Sequence, residues 1–284
     1  MCMQFIRLKA SRTKKAIGKY FIVFTCLLSG AGCTVTNSKQ TQRSHKTHYT
    51  VQDAHSHNDY EQSNYFKEAY NAGFGSMEAD IYLVNGTLLV AHNKKDVNPA
   101  RTLAGMYLTP LARHVRENKG SPYINPQAQL ELLIDLKDPK DSPAYQKTVA
   151  LIRSYKDLLN SKGVRFTFTG NIPSDAVIAQ APALIYFDGV PGRSYNKAAM
   201  KKIYMLSDNF ANYSDWKGEG EIATADYQKL ASAVSAAHGS GKKIRFWNAP
   251  DTPEAWQLME QLGVDYINTD KIRALAEALN AGTK

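Results

Sequence analysis

Glu78-Ala79-Asp80-Ile81-Tyr82-Leu83-Val84-Asn85-Gly86-Thr87-Leu88-Leu89-Val90-Ala91-His92 is the stretch on which the reading of this chain turns. Residues two apart in a strand share a face. Glu78 and Asp80 therefore aim two carboxylates at one spot, while Met77, Ala79 and Ile81 turn the other way. Two carboxylates so placed repel unless a cation lies between them. Oxygen ligands of this kind suit a hard divalent ion, Mg²⁺ first and Ca²⁺ second. Asn85-Gly86 is a two-residue hairpin signal. The segment 87–92 should then return along the acidic strand and bring His92 into the same neighbourhood.

Outward from this block, strand-like and helix-like segments alternate. Apolar or alternating runs predict strands over 50–55, 76–84, 87–92, 129–136, 164–169, 183–187, 203–206, 243–247 and 264–267. Helical periodicity predicts helices over 65–72, 109–118, 142–160, 224–238, 253–262 and 271–279. Such alternation implies a parallel sheet with crossover helices. Some eight strand positions point to a single α/β domain of the TIM-barrel type, a (β/α)₈ barrel over residues 50–284. A doubly wound open sheet is the alternative. The chain has neither a glycine-rich dinucleotide fingerprint nor a phosphate loop.

In both architectures the active site forms at the C-terminal ends of the strands. His55 and His57 end the first strand, Glu78 and Asp80 lie on the second, and His92 closes its companion. Asp135 and Lys137 end a strong apolar strand, again two apart, while Trp247 and Asn268 end late ones. Each has an ordinary structural reading: a strand-end carboxylate often caps the next helix, and a lone Trp is usually core. Independent caps would not all draw on acid–base and metal-ligating residue types, so the set reads as one site. His114 and His238 fall within or at the end of helices and read as structural, His238 suiting a helix C-terminus.

The 284 residues carry a formal net charge of +9. Six of those charges, Arg7, Lys9, Arg12, Lys14, Lys15 and Lys19, precede the apolar run 20–28, and no acid occurs before Asp53. A basic region, a short apolar core and small residues make residues 1–32 a signal peptide; without them the charge falls to +3. The basicity thus reads as targeting, and no nucleic-acid partner is implied. Ser29-Gly-Ala-Gly-Cys33 is similar to a bacterial lipoprotein box, with Gly30 in place of the usual Leu. The reading is lipidation at Cys33, a polar tether over 33–49, and a membrane-anchored lipoprotein of the bacterial envelope. Plain secretion is the alternative.

The whole pattern resembles the PLC-like phosphodiesterase superfamily, the (β/α)₈ group that includes glycerophosphodiester phosphodiesterases and sphingomyelinase D enzymes. Ala54-His55 resembles the start of their first-strand histidine motif, Glu78-Ala-Asp80 their E-x-D, and Val90-Ala-His92 their second histidine. Asp135-Leu-Lys137 is similar to the D-x-K of the sphingomyelinase D branch, and Trp247 and Asn268 stand where that branch has a late Trp and a last-strand Asn. His55-Ser-His57-Asn-Asp-Tyr60 looks more like the group related to the altered inheritance of mitochondria protein 6 family. One departure matters: Ser56 and His57 replace the Arg and Gly of the glycerophosphodiesterase His-Arg-Gly. Either His55 or His57 is then the first-strand catalytic histidine.

The resemblance implies phosphodiester cleavage assisted by one divalent cation on Glu78, Asp80 and Asp135. His55 or His57 and His92 serve as acid and base, Lys137 offsets phosphate charge, and Trp247 and Asn268 contact substrate. The substrate is a small-molecule or lipid-derived phosphodiester. Two rivals come from other classes. The His55-x-His57 pair is similar to the opening of amidohydrolases and histidinol-phosphatase-like metallohydrolases, which use zinc or manganese. A non-catalytic anchored binding protein on the same barrel is the other.

Overall fold

The computed structural model describes residues 46, 48–140 and 142–282. Its strands are β1 (Ala54–Ser56), β2 (Ser76–Val84), β3 (Thr87–Val90), β4 (Leu130–Leu136), β5 (Val164–Gly170), β6 (Ile185–Gly189), β7 (Ile203–Asn209), β8 (Lys243–Trp247) and β9 (Ile267–Thr269). The helices are α1 (Lys67–Ala72), α2 (Thr109–Glu117), α3 (Ala144–Ser154), α4 (Lys156–Leu159), α5 (Asp175–Ala179), α6 (Lys197–Met200), α7 (Thr224–Gly239), α8 (Pro253–Leu262) and α9 (Ile272–Ala281). Among the described residues no helix is long and apolar enough to cross a membrane.

Eight strands run parallel in the order β8-β7-β6-β5-β4-β2-β1-β9, and β3 folds back antiparallel on β2. A bridge between Arg245 and Tyr266 brings β8 to β9 and nearly closes the barrel. The expected TIM-barrel architecture is the one observed, and the open-sheet alternative fails at that junction. Strand alternation sorts the side chains. Met77, Ala79, Ile81, Leu132, Ile134, Phe166, Phe168, Phe187, Ile244 and Phe246 are buried in the apolar layer between sheet and helices. The opposite face lines the barrel and is mostly polar: His55, Ser76, Glu78, Asp80, Glu131, Thr167, Asp188, Ser207 and Arg245 are all buried, with a small apolar cluster of Leu133, Met205 and Tyr266.

Local chemistry explains where elements begin and end. Asn85 (φ 50°) and Gly86 (φ 80°) both take left-handed backbone, as a primed hairpin turn requires. Gly73 (φ 82°) ends α1 and Gly263 (φ 82°) ends α8. Two expectations are corrected. The first strand starts late, because the Thr50 and Asp53 side chains form a capping box that turns 51–53 into a 3₁₀ helix. The single helix expected over 142–160 breaks at Tyr155 (φ −94°, ψ 88°). Ile152 and Leu158 are both buried; six residues of continuous helix would set them roughly 120° apart, and the break lies between them. Tyr49, at the end of the expected tether, is buried and donates to the Val264 carbonyl at 2.8 Å.

Candidate active site

Two neighbouring strands, β2 and β4, supply the acidic centre. Parallel pairing sets Asp80 beside Asp135 in register, and Glu78 lies one inward position earlier on β2. One oxygen from each of Glu78, Asp80 and Asp135 falls within 4.8 Å of the others. Asp80 Oδ1 and Asp135 Oδ1 are buried without a hydrogen-bond partner. Unpaired buried carboxylate oxygens are costly, and a hard cation is the ligand that would satisfy them together. Gly170, at the end of β5, permits this packing: it has φ 72°, and a Cβ there would lie 1.9 Å from Asp135 Oδ1.

Two cations border the trio. Lys137 Nζ lies 2.8 Å from Asp80 Oδ2 and 2.6 Å from Asp135 Oδ2. Arg245, buried on β8, places Nη1 3.6 Å from Glu78 Oε2 and Nη2 3.7 Å from Asp188 Oδ2. Burial pushes Asp80 up to about 6, with the charges of Glu78 and Asp135 adding and Lys137 opposing. Burial also raises Asp135 against Lys137. It works the same way on Glu78, but the His55 hydrogen bond and Arg245 outweigh it and hold Glu78 well below the usual carboxylate range. Burial works against Lys137's charge, yet Asp135 and Asp80 hold it firmly protonated. Lys137 and an Arg245 shared with Asp188 leave the three carboxylates short of positive charge, which a divalent ion would supply.

The histidines separate by their partners. His55 is fully buried, with Nδ1 2.7 Å from Ser76 Oγ and Nε2 2.9 Å from Arg245 Nη1. Nε2 also lies 3.2 Å from Glu78 Oε2, so it stands between a guanidinium that only donates and a carboxylate that only accepts. Burial and Arg245 bring the His55 pKa down to about 4. Both ring nitrogens are thus committed inside the protein. His57 is half-buried, and its Nδ1 lies 2.9 Å from Asp270 Oδ1. His92 is 49% exposed; its Nδ1 lies 3.1 Å from Tyr60 Oη and 3.3 Å from Asp80 Oδ2. His57 and His92 are each held at Nδ1, which leaves Nε2 to face a substrate.

The fold-back of β3 therefore places His92 against Asp80, the neighbourhood its sequence position implied. The Asn268 Oδ1 accepts from Arg245 at 3.0 Å, tying it to the interior. Trp247 is 40% exposed at the end of β8; it lies two residues beyond Arg245 and so shares its barrel-facing side. His114 stacks on Tyr70 with centroids 4.0 Å apart, and His238 pairs with Asp265 at 2.8 Å; both lie outside the site. Cys33 lies outside the described residues.

Sequence reasoning missed Tyr60, Arg245, Asp188 and Asp270. Tyr60 is buried and donates to Asp80 Oδ2 at 2.7 Å. Asp59, beside it, accepts from Ser56 Oγ, the Phe66 amide and Tyr107 Oη at 2.6–2.9 Å, pinning the loop that carries His57. Period-two spacing was an available signal: Arg245 precedes Trp247 by two residues, and Asp270 follows Asn268 by two. A groove of about 930 Å³ lies elsewhere, outside the barrel along α7, where Ala233, Ala236 and Ala237 leave room without bringing a comparable group of acids together.

Comparison with known proteins places these observations. The family profile of the AIM6-like phosphodiesterase domain matches residues 44–188, and that of the glycerophosphoryl diester phosphodiesterase family matches residues 243–272. Altered inheritance of mitochondria protein 6 from Eremothecium gossypii is 30% identical over 265 residues, covering 78% of this chain and 68% of that protein. The protein of the same name from Lachancea thermotolerans is 26% identical over 283 residues, covering 78% and 64%. The chain thus spans about two thirds of the length of these relatives. A solved glycerophosphodiester phosphodiesterase from Parabacteroides distasonis superposes with a TM-score of 0.53 at 15% identity, over 82% of this chain and 98% of that one. That likeness is one of fold. The relatives also correct an expectation: they are fungal proteins, which points away from a bacterial envelope lipoprotein. A basic, acid-free N-terminus before a short apolar run is common to several targeting segments, and the box-like residues before Cys33 carry that assignment only in a bacterial setting.

Proposed function

The chain belongs to the AIM6-like phosphodiesterase domain family, and on that premise we propose that it is a phosphoric diester hydrolase working through His57 and His92 beside one divalent cation. The carrying observation is the pair of histidines held at Nδ1, His57 by Asp270 and His92 by Tyr60 and Asp80, next to the three-acid group. Glu78, Asp80 and Asp135 would hold the cation, Mg²⁺ by preference and Ca²⁺ as the second choice, since all three donors are carboxylates. Bound there, such an ion supplies Lewis-acid stabilisation at a phosphate oxygen.

The chain's own groups do the rest. One histidine takes a proton at Nε2 from the attacking hydroxyl as the new P–O bond forms. The other gives a proton to the leaving oxygen as the old P–O bond breaks. Lys137, held protonated, offsets charge on the phosphate. Tyr60 and Asp59 keep the β1 loop and Asp80 in place. We assign Trp247 to substrate contact, and Asn268 to the same rim while its carbonyl steadies Arg245. The substrates are glycerophosphodiesters or phospholipid-derived diesters. The attacking hydroxyl comes from water or from the substrate itself, and a cyclic phosphate product identifies the second case.

The full chain, assayed on bis(p-nitrophenyl) phosphate, should lose activity in EDTA and regain it with Mg²⁺ or Ca²⁺. Recovery with Zn²⁺ or Mn²⁺ alone supports the H-x-H metallohydrolase, whose reading is weakened by the separate commitments of His55 and His57. A folded protein that binds the cation but turns over no phosphodiester supports the binding protein and rejects this function.

A further inference from the structure

Strands β1 and β9 are neighbours, with Ser56 paired to Thr269. The ladder continues one step further, because the His57 amide donates to the Thr269 carbonyl at 3.0 Å. The residues just beyond that pair, His57 and Asp270, therefore leave the sheet side by side, and Asp270 Oδ1 comes to 2.9 Å from His57 Nδ1. Asp270 is exposed, and an exposed carboxylate wanders unless its backbone is fixed. Asp251, in the loop before α8, fixes it. Asp251 Oδ2 accepts from the Asp270 amide at 2.9 Å, and Oδ1 accepts from Thr269 Oγ1 and Trp256 Nε1, each at 2.8 Å. Lys271 Nζ donates to the Asp251 carbonyl at 2.7 Å, and Gln62 Nε2 donates to the Asp270 carbonyl at 3.0 Å. The turn after β9 is bound on both flanks, to the β8–α8 loop and to the loop that follows His57.

We propose that Asp270, aimed by Asp251, is a positioning residue for His57: it fixes the ring with its proton on Nδ1 and turns Nε2 toward the reacting phosphate. This rests on the phosphodiesterase reading of His57. His92 is built differently, since its neighbour Asp80 belongs to the acidic trio. Asp270 lies outside that trio, so its charge stays available to His57 whatever the trio holds. The ring also feels Glu78 on the neighbouring strand β2, which favours its charged form, and Arg245 and His55, which oppose it along with burial; the Asp270 contact and the two carboxylate charges prevail and raise it.

The experiment uses the full chain, its Asp270→Asn, Asp270→Glu and Asp251→Asn variants, steady-state kinetics on bis(p-nitrophenyl) phosphate with Mg²⁺, and the NMR titration of the His57 ring. Asp270→Asn retains an acceptor and loses the charge, so kcat should fall about 10- to 100-fold. KM should stay within about twofold, because the variant touches no substrate-binding group. The His57 midpoint should move to lower pH, Asp270→Glu should recover part of kcat, and Asp251→Asn should show a smaller loss in the same direction. Wild-type kcat with an unmoved His57 midpoint in Asp270→Asn overturns the proposal and leaves the phosphodiesterase reading standing. A wild-type chain inert on every phosphodiester overturns that reading and the catalytic half of the proposal; the His57 midpoint then decides separately whether the pair exists.

Discussion

Arg245 Nη1 lies 2.9 Å from His55 Nε2, and this contact separates two histidines that sit two residues apart. With Nδ1 on Ser76 and Nε2 on Arg245, His55 has no nitrogen left for a substrate. His57→Gln and His92→Gln should therefore each lower turnover by about 100-fold or more, with the melting temperature held. His55→Gln should do the reverse and lower the melting temperature, since it disturbs a buried network that includes Glu78 and Arg245. Thermal unfolding and kcat on the same three variants check this. Full activity in folded His57→Gln, with loss confined to His55→Gln, would assign the chemistry to His55.

The acidic trio should make stability depend on divalent cation. An ion that binds the folded chain stabilises it by mass action, by about 2.7 kcal/mol at one hundred times its Kd. Adding millimolar Mg²⁺ or Ca²⁺ to EDTA-treated protein should raise the melting temperature, and Glu78→Gln should abolish most of that rise while remaining folded. A melting curve indifferent to both ions in the wild type removes the cation from the site.

The block from Glu78 to His92 was legible because its information is local. Period two sets both carboxylates on one face, Asn85-Gly86 reverses the chain, and the strand that returns has only one place to put His92. Strands β2 and β8 and helix α8 were likewise readable from their own residues. Arg245, Asp270 and Tyr60 were not, because each acquires its role from a partner distant in sequence. Arg245 meets His55 only because β9 stands between β8 and β1 as the barrel closes, 190 positions apart in the chain. Asp270 is an ordinary acid after a short strand until β1 lies beside it. His55 differs from His57 for the same reason: the two look alike in one dimension, and the burial of His55 against Arg245 shows only in three.

Gly170 should be irreplaceable for a reason that separates it from other glycines. A Cβ there would stand 1.9 Å from Asp135 Oδ1 and 2.9 Å from the Leu136 carbonyl, at a φ of 72°. Gly170→Ala must push Asp135 out of the trio, so cation affinity measured by calorimetry should fall at least tenfold and activity with it. Gly86→Ala is the matched control: φ is 80°, but nothing lies within 4 Å of the added carbon. It should cost about 1 kcal/mol of stability and leave cation binding unchanged. Equal cation affinity in Gly170→Ala and wild type would mean that Asp135 is not a ligand.

Asp188 should make the fold lose stability as pH rises through the acidic range. It is buried on β6, accepts from Thr169 Oγ1 at 3.2 Å, and has one oxygen without a partner. Burial pushes its pKa up to about 7, which Arg245 at 3.7 Å opposes without cancelling. Between its ordinary value of 3.8 and about 7, the folded chain keeps a proton that the unfolded chain has released. The folded state then binds more protons, so unfolding free energy falls with pH across that window and is flat above it. At 1.36 kcal/mol per pKa unit the loss approaches about 4 kcal/mol. Asn at this position cannot ionise. Asp188→Asn should match the wild type near pH 4 and become the more stable protein by pH 8, where the wild type must bury a charge. Urea unfolding of both proteins across that range reads the difference directly, and other titrating groups largely cancel in the comparison. A stability difference that stays constant from pH 4 to pH 8 would show that Asp188 keeps the same ionisation throughout, with Arg245 holding it charged in the barrel.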